Sequence, residues 1–261
     1  MTENFLDGRD FTTSGQTCAH DQRPHNAMKQ LLLDIVPPVA PSFENMVPGE
    51  NAQAVASARA LVPGQAMYVW GQDGCGRSHL LRAFARAHRD AAQGLYLHAR
   101  QDAPRIETLA QSLPDERLAI AIDDIHTAGE PVLAAVFRLY NHWRERGDAS
   151  IAISLMISGD RAPLQMQCRE DLRTRLGWGV VHRLMPLSDD EKMAALSQFA
   201  HQQGIPLGQD ILRWLLTHGS RDIRVLFDWV SALDRLSLAT HRPITLPLLK
   251  TMLANQGLEN P

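Results

Sequence analysis

The segment Gly71-Gln72-Asp73-Gly74-Cys75-Gly76-Arg77-Ser78 places glycines, a cation and a hydroxyl where they can act together on phosphate. It fits the pattern G-x-x-x-x-G-K-[ST], with arginine in the lysine place. The glycines allow successive backbone N–H groups to turn inward around phosphate oxygens. A helix starting near Arg77 would aim its positive end at the same point. The Ser78 hydroxyl can ligate Mg2+, and Arg77 keeps a positive charge near the β-phosphate. An arginine fork is bulkier than an ammonium and differs from it in geometry, so the exchange favours binding over catalysis. The pattern predicts an adenine nucleotide, ADP or ATP, held by Gly71, Gly74, Cys75, Gly76, Arg77 and Ser78, with His79 following on the helix.

The apolar run Leu118–Ile122 ends in Asp123-Asp124. Taken alone, two acids after a strand are more often a turn or a helix cap. About one βαβ unit after a phosphate loop they read as its acidic partner. Asp123 would hold Mg2+ through water, and Asp124 would orient or deprotonate an attacking water.

Those residues need strands that end beside one another, and the hydrophobic pattern supplies candidates. Short apolar runs at Met67–Trp70, Leu95–His98, Leu118–Ile122, Ile151–Ile157 and Val180–Leu184 read as strands. Helical spacing occupies 78–88 and 131–145. Strands alternating with helices predict an α/β fold with a parallel sheet flanked by helices on both faces. After Pro186 the strands stop. Ser188 and Glu191 have the spacing of a capping box opening a helix to about Gln203, and helical segments follow at 211–217, 223–236 and 246–253. The expected organisation is an arm over 28–41, a nucleotide-binding α/β domain over 42–186, a small all-α lid over 187–256 and a tail over 257–261. Residues 1–27 are polar, lack periodicity and read as a disordered extension, with Met28 as an alternative start.

Composition narrows the class. Of 261 residues, 44% are hydrophobic and 21% charged, enough apolar material for a full core. A formal charge of −3 argues against a chain that binds nucleic acid over its whole surface. Three separated cysteines, Cys18, Cys75 and Cys168, suit neither a disulfide framework nor a zinc site. No apolar run approaches the roughly 20 residues of a membrane helix, and the polar start does not read as a signal peptide. The expectation is a cytoplasmic protein with no membrane partner.

Beyond the phosphate loop, Ile153–Ser158 followed by Gly159-Asp160-Arg161-Ala162-Pro163, the stretch Asp171–Gly179 and the stretch Arg221–Leu226 resemble the DnaA-related AAA+ ATPases. The resemblance implies a P-loop AAA+ module with a helical lid. It also implies a sensor at Asp160, an arginine finger acting in trans at Arg175, and a second sensor at Arg224 directed at the nucleotide. Read singly, Arg175 could be a solvated helix-end cation and Arg224 could pair with a neighbouring acid. Gly76–His79, Leu184–Lys192 and Leu233–Ser237 are similar, within that family, to the regulatory inactivators of the replication initiator DnaA.

Gln30-Leu31-Leu32-Leu33-Asp34-Ile35 resembles the motif Gln-Leu-x-Leu-x-Leu/Ile by which proteins dock on the DNA sliding clamp. An extended chain can set the Gln30 amide in a polar notch and Leu31, Leu33 and Ile35 in an apolar groove. The resemblance therefore implies a clamp-tethered negative regulator of replication initiation. Its partners would be DnaA, the sliding clamp of DNA polymerase III, DNA indirectly through the clamp, and a second copy in a homo-oligomer. An autonomous AAA+ ATPase or helicase loader, and a DnaA-like recruitment factor, remain open on the residues alone.

Overall fold

The computed structural model describes residues 40–88, 93–145, 153–220 and 222–255. The arm residues Gln30, Leu31, Leu33 and Ile35 lie outside them. The α/β part carries strands β1 (Ala66–Trp70), β2 (Gln93–His98), β3 (Leu118–Asp123), β4 (Ile153–Gly159) and β5 (Val180–Arg183). Helix α1 (Ala52–Arg59) precedes β1, and α2 (Arg77–Ala87), α3 (Ala103–Gln111), α4 (Glu130–Glu145) and α5 (Glu170–Leu176) lie between the strands in sequence. The five strands form one sheet in the order β2-β3-β4-β1-β5, and every recorded pairing is parallel.

Residue size on the central strands decides how each helical layer packs. All six residues of β3 are buried. Leu118, Ile120 and Ile122 join Val132, Val136 and Leu139 of α4 and Ile106 of α3 in one core. The intervening Ala119 and Ala121 face the other way, into a second core with Leu80, Leu81, Ala83 and Phe84 of α2 and Ala54, Val55 and Ala58 of α1. Period-two alternation on a doubly covered sheet produces this split. Small residues on the α2 side let that helix lie close.

Gly94 of β2 belongs to the same close approach. A Cβ added there would sit 1.9 Å from the backbone oxygen of Ala85. Gly94→Ala should therefore push α2 off the sheet and cost about 1–3 kcal/mol. Thermal unfolding would register this as a lowered midpoint; an unchanged midpoint would mean that α2 moves freely over β2.

Ahead of α1, the chain is fastened to both helices of the second core. Phe43 is buried, the Arg59 guanidinium donates to its carbonyl at 2.8 Å and also lies 4.9 Å over its ring. His79 of α2 bonds the Ser42 carbonyl at 2.9 Å.

The helical part comprises α6 (Asp189–Gln202), α7 (Gln209–His218), α8 (Ile223–Thr240) and α9 (Leu246–Asn255). The expected capping box is present: the Ser188 backbone N–H donates to Glu191 at 2.7 Å and the Glu191 N–H donates back to the Ser188 hydroxyl at 3.3 Å. Leu196, Ile211, Leu215, Leu226, Val230, Leu233 and Leu249 build a core separate from the two on the sheet.

Helices α1, α3 and α5 go beyond the elements expected from the sequence. α1 is alanine-rich with little apolar periodicity, α3 has only nine residues, and α5 has only seven. Each weakens the helical signal in its own way. Among the described residues no helix is long and apolar enough to cross a membrane.

Candidate functional site

The Gly71–Ser78 segment links β1 to α2. Gly74 and Gly76 adopt φ of 81° and 98°, backbone that residues with a Cβ rarely enter. Gly76 is the N-cap of α2 and provides no side-chain cap. The first amides of α2 therefore lack intrahelical acceptors and converge at the loop, the arrangement that binds anions.

Arg77 turns inward rather than out to solvent and is 6% exposed. Its guanidinium donates to the Gly71 carbonyl, to Asp73 Oδ1 at 3.0 Å and to Asp124 Oδ1 at 3.0 Å. Burial opposes its charge, yet Asp124 and the hydrogen bonds outweigh burial and hold its pKa above the ordinary arginine value. The cation of the loop is thus joined to the second acid across the site.

Asp123 is fully buried, and both its oxygens receive hydroxyl donors. Ser158 donates to Oδ1 at 2.5 Å and Tyr96 donates to Oδ2 at 2.6 Å. The Asp124 backbone N–H in turn donates to the Ser158 hydroxyl at 2.8 Å. Asp124 has φ 53°, a left-handed conformation that costs most non-glycine residues energy and is better tolerated by Asp. His98 and His126 lie 3.8 and 3.9 Å from its carboxylate. Burial first, then Asp123, raise the Tyr96 pKa, so its O–H remains a donor.

The family resemblance implies a sensor at Asp160, just after β4. The Ser158 hydroxyl, at the C-terminal end of β4, makes the contact with the acid pair, while the Asp160 carboxylate is bound by Arg161 at 2.6 Å. The available signal was the hydroxyl that interrupts the apolar β4 run just before Gly159. Tyr96 left no comparable signal, because only the β2–β3 pairing, with His98 opposite Asp123, brings it there.

Arg175 lies in the last turn of α5, away from this constellation. Its guanidinium donates to the Asn141 side-chain oxygen and lies 3.6 Å from the Phe137 ring centroid and 5.0 Å from that of Trp178. All of these partners are neutral, and Trp178 is 39% exposed. Arg224, at the start of α8, pairs with Asp222 at 2.6 Å, the neighbouring-acid alternative open from the sequence. Its charge nevertheless acts on groups of the α/β part. Burial, then Arg224 and Arg82, keep the His79 imidazole below its usual pKa despite the Ser42 carbonyl; the Asp222 hydrogen bonds first, and Asp123 after them, raise that of Arg224.

The family model for the bacterial DnaA ATPase domain matches residues 40–183, more than half of the chain. The chain belongs to the DnaA-related AAA+ family. Residues 189–253 match the model for the Hda lid domain, so the member is Hda-like. Domain III of the Thermotoga maritima replication initiation protein DnaA is 18% identical, with a TM-score of 0.67 over 82% of this chain and 95% of that one. AMPPCP-bound DnaA from Aquifex aeolicus is 16% identical, with a TM-score of 0.60 over 78% of this chain and 66% of that one. A Thermotoga maritima RuvB mutant is 13% identical, with a TM-score of 0.59 over 84% of this chain and 74% of that one. Likeness at these identities speaks for the AAA+ fold alone.

The AAA+ site sits at the carboxyl ends of β1, β3 and β4, adjacent in the sheet order, where open α/β sheets take ligands. Its donor set suits Mg2+. Asp123 and Ser78 offer hard oxygens. Among the described residues no group of three or more His, Cys, Asp or Glu could hold a metal ion. A cation there would need phosphate oxygens and water to complete its shell, as Mg2+ commonly does.

Proposed function

We propose that this Hda-like AAA+ protein is a clamp-tethered regulator that binds ADP or ATP with Mg2+ and promotes hydrolysis of the ATP carried by DnaA. One contrast carries the reading. Arg77 engages the second acid of the protein's own site, whereas Arg175 rests on the neutral partners Asn141, Phe137 and the exposed Trp178.

In this reading the amides of Gly74 to Ser78 hold the phosphates, Ser78 and Asp123 hold Mg2+, and Arg224 closes the lid side. Held there, Mg2+ would supply charge neutralisation to the phosphates. With a nucleotide held there, these residues would fix the conformation in which Arg175 is presented. Arg175 then enters the junction with DnaA and stabilises charge on the transferring phosphoryl group, the dominant contribution in such chemistry. DnaA left with ADP is inactive, and initiation stops.

The test is hydrolysis of DnaA-bound ATP on clamp-loaded DNA, with and without this chain. Stimulation is expected, and changing Gln30 and Leu31 to alanine should abolish both pull-down on the clamp and clamp-dependent stimulation. No stimulation by the unaltered chain would overturn the proposal.

A second reading is an autonomous ATPase, in which Asp124 would orient an attacking water; Arg77 in the lysine place, bonded to that acid, counts against fast turnover. Rapid turnover by the isolated chain, without DnaA or clamp, would select it.

A further inference from the structure

Asp123 ends the strand that lies between β2 and β4, and each neighbouring strand sends one hydroxyl to it. Ser158 comes from β4 and takes Oδ1 at 2.5 Å; Tyr96 comes from β2 and takes Oδ2 at 2.6 Å. A carboxylate has about four lone-pair sites, so one donor on each oxygen leaves acceptor capacity for water while fixing the plane of the group. Tyr96 is itself held. Its ring packs against the core beneath α2, and the Arg82 guanidinium lies 4.8 Å over the ring. Ser158 has a second duty to the Asp124 amide, whereas the Tyr96 hydroxyl donates to Asp123 and has the Arg82 guanidinium beside it.

We infer that Tyr96 is a positioning residue, whose hydroxyl orients Asp123 for a metal–nucleotide complex without itself touching the nucleotide. The inference rests on the phosphate-loop reading proposed above. Partners that orient a metal-binding carboxylate commonly matter about 10–100-fold to metal affinity. Phenylalanine retains the ring, its packing and the Arg82 guanidinium over its face, and removes the hydroxyl that donates to Asp123.

The experiment titrates fluorescent ADP into the full chain and into Tyr96→Phe, once with Mg2+ and once with EDTA. The expected result is about tenfold weaker binding in Mg2+ with binding in EDTA unchanged, so that the variant loses the enhancement Mg2+ gives the unaltered chain. Equal affinities in Mg2+, or equal losses in both conditions, overturn the positioning role. If the unaltered chain binds ADP in neither condition, the phosphate-loop reading fails, and this inference fails with it. Should Tyr96→Phe not fold, Ser158→Ala removes the other donor. It should show the same Mg2+-selective loss, and an unselective loss or none overturns the shared clamp on Asp123.

Discussion

Arg175→Ala is expected to cut stimulated hydrolysis of DnaA-bound ATP by on the order of a thousandfold or more, with nucleotide and clamp binding by this chain unchanged. The size follows from the charge and its surroundings. Asn141 and Phe137 hold the guanidinium without neutralising it. A carboxylate partner would have to be displaced before the cation could serve another molecule. Here the cation meets developing negative charge at little reorganisation cost, where preorganised electrostatics act most strongly. Arg175→Lys should recover little, because an ammonium cannot match a planar fork that sits on an aromatic face and donates along its edge. Single-turnover hydrolysis with labelled ATP on DnaA is the measurement. Rates equal to those with the unaltered protein would exclude Arg175 as the trans-acting group.

Asp124→Asn should have the largest effect on the protein's own site. Arg77 is nearly buried, and its other carboxylate partner, Asp73, is 97% exposed at the side chain and well screened. Removing the Asp124 charge leaves a desolvated guanidinium without its best counter-charge, a loss of about 1–3 kcal/mol. Asparagine tolerates the left-handed backbone at this position, so the change isolates charge from strain. A lowered melting midpoint is expected without nucleotide. Bound phosphates would then supply the missing negative charge, so ADP should raise the midpoint of the variant by more than that of the unaltered chain. An equal ADP shift in both proteins would mean that Arg77 does not exchange Asp124 for phosphate.

How far the sequence revealed this site depended on whether the signal was local. The loop glycines, Arg77, Ser78 and the two acids are contiguous and punctuate apolar runs, so their spacing identified them. The Ser188–Glu191 box likewise belongs to one turn. The Arg77–Asp124 bond, the Tyr96 and Ser158 bonds to Asp123, and the Asn141 contact with Arg175 join residues far apart in sequence. They exist because β2, β3 and β4 lie in register and because α4 and α5 pack together. The missing helices α1 and α3 have a related cause. α1 is alanine-rich with weak periodicity of its own, so its burial is set by its neighbours, and α3, at nine residues, is too short for its apolar positions to stand out.

The segment ahead of α1 bears on how a tether would act. Whatever precedes residue 40 is covalently continuous with Ser42 and Phe43, which are bonded to Arg59 and His79. Tension on that end of the chain is therefore delivered to α1 and α2 before it reaches the sheet. His79 is two residues along the helix from Arg77. The load path from an anchored N-terminus thus ends on the first turn of the phosphate-binding helix, and pulling on one would be felt at the other.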